Sequence, residues 1–177
     1  QSRSSAASDV YKRQRLLLEA LQHASTCFAP KDIKPQDPEL ATTLVQRIFG
    51  GRLRSRVTCH SCRHNSDTYD PVMDLSLDVR KGIHSVKQAL EAFTAPEELA
   101  DKYRCDQCHK SVNATKRFSI EQTPMVLTVH LKRFGIFGNK INKPISYAER
   151  LQLGRYMSER TADTDAYRPV SYTHLRA

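Results

Sequence analysis

Two short cysteine pairs constrain this chain more than any other feature of its sequence. Cys59-His60-Ser61-Cys62 and Cys105-Asp106-Gln107-Cys108 each put two thiols on one tight turn, and two such turns supply the four corners of a tetrahedral metal site. The pairs stand about forty residues apart, farther than in compact zinc ribbons. The segment between them must therefore fold so that two distant turns meet, at an entropic cost that grows only logarithmically with loop length. Four thiolates leave no open coordination position, so the expected metal is a structural Zn2+ and not a hydrolytic one. Redox or disulfide chemistry is the competing reading of the same four residues. His60 and His109 adjoin the turns, and a complete four-cysteine set makes them unnecessary as ligands. Arg56, Arg63, Lys102, Arg104 and Lys110 crowd the turns as well; they either offset the negative charge of a four-thiolate zinc or are ordinary solvated surface charge.

Both chain ends are expected to be non-native. Ser4 to Gln14 reads SSAASDVYKRQ and Val170 to Leu175 reads VSYTHL; the first translates a transposase-type sequencing adapter and the second its reverse complement. Such segments are set aside before fold reasoning, although their Ser, Ala and charged residues would suit ordinary termini too. Residues 1–14 and 169–177 are therefore treated as tails, and 15–168 as the native stretch. The formal charge of +9 falls to +6 once Arg3, Lys12 and Arg13 against Asp9, together with Arg176, are removed. That excess is too small to point to nucleic acid. No apolar run approaches the roughly 20 residues of a membrane span. No secretory signal is recognisable, so paired cysteines argue for metal before disulfides.

Periodicity along the native stretch predicts a mixed α+β chain. Leu17 or Leu18, Leu21, Ala24 and Phe28 fall at helical spacing. Pro30, Pro35 and Pro38 mark a polar connection. Asp37-Pro38-Glu39 predicts a helix start with its cap and an N1 proline, Leu40, Leu44, Val45, Ile48 and Phe49 an apolar face, and Gly50-Gly51 its end. From Arg52 the period becomes two, with Leu53, Ser55 and Val57 on one face, a second strand around Ser66 to Asp70, and Leu75, Leu77 and Val79 alternating with Asp74, Ser76 and Asp78. An antiparallel, half-buried sheet is expected from this run. Ser85-Val86-Lys87-Gln88 has capping-box form and opens a short helix ending near Pro96. Thr115 to Gln122 and Met125 to Phe134 predict two long strands, the second apolar on both faces and so central. Beyond Asn139 the signal weakens.

Several strings in this stretch resemble the ubiquitin-specific protease family. They are Ala41-Thr42-Thr43-Leu44 through Ile48-Phe49-Gly50-Gly51, Leu53-Arg54-Ser55, Ser66 to Pro71, Asp74 to Leu77, and Thr123-Pro124-Met125-Val126-Leu127 into His130-Leu131-Lys132-Arg133-Phe134. The resemblance runs from Arg15 to about Met157 and is nearest to the subgroup of ubiquitin carboxyl-terminal hydrolase 36. It implies a papain-like cysteine protease fold of thumb, palm and zinc-bearing fingers, here as a fragment: the end of the thumb, the fingers and part of the palm. It implies hydrolysis of the isopeptide bond at the ubiquitin C-terminus, in which a cysteine thiolate attacks and a histidine takes its proton. Ubiquitin and ubiquitinated proteins are the implied partners, and an intracellular, nuclear or nucleolar site follows from the subgroup.

The family's G-N-T-C-[FY] cysteine box and its G-H-Y histidine box are not in the sequence, so no catalytic residue is assigned and the fragment alone is expected to be inactive. Cys27 in Thr26-Cys27-Phe28 lacks the preceding Gly-Asn. His23 lies one helical turn away, but no third group completes a site, and a half-buried free thiol is the ordinary reading. His130 is expected to be a structural strand residue. Arg15 is similar to an arginine of the family that contacts the ubiquitin tail, and the Asp74, Ser76 and Asp78 row offers acid to ubiquitin's partly basic surface or is a solvated strand face. A nucleic-acid-binding zinc ribbon using Lys110, Lys116, Arg117, Lys132 and Arg133, and a non-catalytic ubiquitin-binding scaffold, are the rival functions. Nucleic acid is not expected as a partner, because aromatics for stacking are not clustered, and no membrane is expected.

Overall fold

A computed structural model describes residues 16–26, 43–80, 82–133, 141–159 and 166–169. Its central element is a long antiparallel arm. Strand β1 (Gly51–Cys59) pairs along its whole length with β2 (Asn65–Val72) on one side and β7 (Ala114–Gln122) on the other, and β4 (Glu97–Glu98) closes the far edge in the order β2-β1-β7-β4. The alternation expected from the sequence is present, with Leu53, Ser55 and Cys59 on the buried face of β1. Ile120 and Phe118 stand opposite Leu53 and Ser55. Phe118 in turn stacks on Phe93, with ring centroids 5.4 Å apart.

Helix α3 (Val86–Phe93) follows the capping pattern read from the sequence. The Ser85 hydroxyl accepts the Gln88 N–H at 3.1 Å. The return bond of the box is displaced by one residue, since Gln88 Oε1 accepts from the His84 N–H at 2.7 Å. The first satisfies a donor that the opening helical turn leaves without an internal partner, and the second a donor just ahead of the cap. Ala89 and Leu90 on its inner face join Leu53, Leu75, Leu77, Ile120, Leu153 and Tyr156 in one core. Leu153 and Tyr156 belong to a 3-10 turn region (Gly154–Tyr156) in the stretch where sequence periodicity was weakest. Met157 and Ser158 then run beside β7, Ser158 N–H donating to Ile120 O at 2.8 Å.

Three sequence expectations need correction. Strand β3 (Leu75–Asp78) does not join the antiparallel arm but pairs in parallel with β8 (Val129–Lys132). Alternation reports which face is buried and carries no direction, while the long crossover through α3 and the arm between the two strands is what parallel pairing requires. Strand β8 is also shorter than expected. Residues 123–128 leave the ladder, with Val126 N–H bonded to Ile48 O at 2.8 Å, and Met125 is largely exposed. Among the described residues β8 has one strand neighbour, not two. Third, helix α2 spans only Leu44–Phe49. Thr43 is its cap, with extended backbone and a side chain that accepts the Gln46 N–H, so a helix continuous from Asp37 is interrupted there. Asp37, Pro38, Glu39 and Leu40 lie outside the described residues, and Leu44, assigned to the apolar face, is exposed. The helix expected from Arg15 is present as α1 over residues 16–25, with Leu16, Leu17 and Leu21 exposed.

The solvent side of the arm is tied by one bidentate pair across β1 and β2. Arg56 Nε and Nη2 meet the Asp67 carboxylate at 2.7 and 2.6 Å. These hydrogen bonds hold the Asp67 carboxyl below its ordinary pKa, so the pair stabilises the fold above the ordinary aspartate range and ceases to do so as pH falls through the lower folded value. Asp67→Asn should therefore cost about 0.2–1 kcal/mol at neutral pH. In urea titrations at a series of pH values, the difference from the parent chain should vanish on acidification through the carboxylate range.

Candidate metal centre

Register explains why the two cysteine pairs meet. Cys59 ends β1 directly opposite Ala114, the first residue of β7. The short ribbon β5 (Tyr103–Arg104) and β6 (Ser111–Val112) precedes β7 by a single residue, Asn113. The turn of that ribbon carries Cys105 and Cys108, and the turn from β1 to β2 carries Cys59 and Cys62. His60 N–H donates to Asn113 O at 3.1 Å and joins the two turns directly.

The turns are copies of one backbone shape. In the first, Cys59 N–H donates to His64 O at 2.9 Å and Arg63 N–H to Cys59 O at 3.0 Å. In the second, Cys105 N–H donates to Lys110 O at 3.1 Å and His109 N–H to Cys105 O at 2.8 Å. The residue after each second cysteine is left-handed, Arg63 at φ 61° and His109 at φ 56°, and among the described residues these are the non-glycine residues with positive φ. Neither carries the glycine or asparagine that usually marks this conformation. The sequence held no signal for it beyond the C-x-x-C spacing itself.

All four Sγ atoms lie within 4.8 Å of one another. Cys62 and Cys105 are 3.6 Å apart and Cys59 and Cys108 3.9 Å. A tetrahedron with Zn–S bonds near 2.3 Å has edges of about 3.8 Å, so the cluster fits that ion and could hold it without rebuilding the turns. Cys59 and Cys105 are fully buried, Cys108 is half-buried and Cys62 is exposed. The Cys62 N–H, directed at Cys59, outweighs burial and draws that thiol down to about 7, with the Ser61 N–H assisting. At Cys62, exposed as a residue, the N–H of His64 pulls downward but is overcome by local desolvation of the sulfur and by the surrounding thiols, which push it up to about 12. The turn thus favours loss of the Cys59 proton and retention of the Cys62 proton, which an incoming metal must displace.

His60 is turned from the sulfurs: its Nε2 lies 2.6 Å from Thr115 Oγ1 and 3.7 Å from Glu98 Oε1. Of the cations expected near the turns, Arg56 is engaged by Asp67 and Lys102 donates to Asn113 Oδ1 at 2.6 Å. Arg63, Arg104 and Lys110 are exposed at the cluster's rim. Asp74 and Asp78 do not join the cysteines. Asp74 accepts from the Ser76 hydroxyl at 3.3 Å, and Asp78 is bound by both the N–H and the guanidinium of Arg80. His130 sits half-buried on β8, where burial lowers its pKa against the opposing pull of Asp74. Arg15 and Cys27 lie outside the described residues.

A family model described as ubiquitin carboxyl-terminal hydrolase matches residues 2–173. The chain belongs to that family. It is 39% identical over 175 residues to ubiquitin carboxyl-terminal hydrolase 36 of Drosophila virilis, covering 94% of this chain and 14% of that protein. It is 48% identical over 130 residues to ubiquitin carboxyl-terminal hydrolase 42 of Homo sapiens, covering 72% of this chain and 10% of that protein. The chain therefore spans less than a fifth of the length of these curated relatives. Among solved structures it is similar to a SAGA DUB module of Ubp8, Sgf11, Sus1 and Sgf73 bound to monoubiquitin, with a TM-score of 0.66 and 30% identity over 75% of this chain and 31% of that one. A second structure of the module gives a TM-score of 0.76 and 25% identity over 89% of this chain and 37% of that one. The α+β, papain-like class expected from the family's strings is the class of these neighbours.

The left-handed positions generate a test. Arg63→Val places a β-branched side chain where φ is positive and should lose about 1–3 kcal/mol, whereas Arg63→Gly should cost nothing measurable in the same thermal unfolding experiment. The His109 pair of substitutions should repeat the pattern.

Proposed function

We propose that this chain is the finger-bearing section of a cysteine-type deubiquitinase that hydrolyses the isopeptide bond at the ubiquitin C-terminus. The observation that carries the reading is the four-sulfur cluster at the tip of a long antiparallel arm, in a chain of the ubiquitin carboxyl-terminal hydrolase family. A similar structure bound to monoubiquitin and another bound to ubiquitin aldehyde support ubiquitin as the partner.

Cys59, Cys62, Cys105 and Cys108 would hold Zn2+. With all four positions filled by thiolates, the ion supplies no Lewis acid to substrate and acts by pinning the ends of β1, β5, β6 and β7 together. The arm would then present a fixed face to ubiquitin, and Arg15 together with Asp74 and Asp78 beside and on β3 would add contacts away from it. Asp78 is already paired with Arg80, so its contribution would pass through that pair.

The nucleophilic cysteine and its histidine base are assigned to the parent protein outside these residues, because neither family box occurs in the sequence. Residues 15–168 are taken as the partial domain. The inverted adapter repeat supports setting the two tails apart; the family match itself runs through most of both. A nuclear or nucleolar site of the parent protein is part of the reading, supported by the subgroup resemblance. Among the described residues no helix is long and apolar enough to cross a membrane.

Two measurements test the reading. A ubiquitin probe bearing a C-terminal electrophile should label the full parent protein and leave this chain unlabelled; labelling at Cys27 would overturn the assignment. Cobalt titration of the reduced chain should develop thiolate-to-metal absorption at one ion per four cysteines. Chelation should abolish that absorption and lower the melting temperature.

A further inference from the structure

We propose that the cysteine tip is also an oxidative modification site for peroxides, and that it closes crosswise, as Cys62–Cys105 and Cys59–Cys108, instead of within each C-x-x-C pair. One observation carries the pairing and another the point of attack. The sulfur contacts of 3.6 and 3.9 Å both run from one turn to the other. Peroxide reaches exposed Cys62 and half-buried Cys108 first, since Cys59 and Cys105 are buried. Oxidation begins where peroxide reaches sulfur, and a disulfide follows when a second thiol is already in line.

The chemistry closes with one peroxide per bridge. The Cys62 thiol gives up its proton as its sulfur attacks a peroxide oxygen, the O–O bond breaks, water leaves and a sulfenic acid remains. The Cys105 thiol then attacks that sulfur, the S–S bond forms, the S–O bond breaks, and water leaves with the Cys105 proton. Peroxide is the two-electron oxidant and both sulfurs are oxidised. The remaining approach, from 3.6 Å to a bond of about 2.05 Å, is about 1.5 Å. The turns keep their backbone bonds, and the ends of β1 and β6 stay joined.

The consequence rests on the metal reading above: peroxide would exchange a zinc pin for a covalent one, and a thiol reductant would restore the ligands. The pairing itself does not need the metal. The test uses the full chain carrying Cys27→Ser, both metal-loaded and metal-free, treated with hydrogen peroxide and digested with trypsin. Cleavage after Arg56, Arg63, Arg104 and Lys110 releases Cys59 with Cys62 on one peptide and Cys105 with Cys108 on another. The expected result is the two peptides joined in both samples and separated by reductant. Fragmentation should assign Cys62–Cys105 and Cys59–Cys108, and the loaded sample should release its metal as the bridges form. Peptides looped within themselves, the opposite cross pairing, or oxidation running on to sulfinic acid would overturn the proposal. A chain that binds no metal yet bridges crosswise would sink the metal reading and leave the pairing standing.

Discussion

The antiparallel register of β1 against β7 is the constraint on which the rest of this molecule depends. Because Cys59 falls opposite Ala114, the end of one strand and the start of another lie at the same end of the sheet. The short strands β4, β5 and β6 are attached there. A slip of one residue would turn Cys59 from the buried to the solvent face, since side chains alternate with a period of two. The same slip would carry Leu53 off Ile120 and out of the core. Register, hydrophobic burial and sulfur geometry thus specify one another, and the backbone ladders fix what the cysteines alone would leave loose.

Much of the arm is legible in the sequence. Leu53, Ser55 and Val57 gave β1 its face, the Ser85 box located α3, and the two C-x-x-C turns announced the cluster. These features are local: a period of two, a cap three residues from its donor, a spacing of three between sulfurs. Strand direction is not local. Leu75 and Leu77 show that one side of β3 is buried, but their pairing with Val129 and Leu131 is decided by a chain path more than forty residues long. Leu153 and Tyr156 were missed because a 3-10 turn has too few residues to display a period.

At the site, residue identity was legible and conformation was not. The sequence names four thiols, yet it does not say that Arg63 and His109 adopt left-handed backbone. Nor does it reveal that His60 turns toward Thr115, since that partner comes into range only through the β1–β7 register. The acidic row on β3 illustrates the reverse. Asp78 looked available from sequence, and Arg80, two residues on, satisfies it.

Gly50 and Gly51 stand at the other end of the arm. A Cβ on Gly50 would fall 2.2 Å from Gln46 O, and one on Gly51 would fall 2.9 Å from Gln122 O. The helix end and the root of β7 therefore close on this elbow with no room for a side chain. From there β1 runs nine residues to Cys59, a span of about 30 Å at 3.3 Å per residue. The strand is consequently a lever with its fulcrum at two glycines. A tilt of roughly 5° at the root would displace the tip by about 2.5 Å over that length, so the accuracy with which the far end meets a partner is set at the elbow, where no sulfur is present.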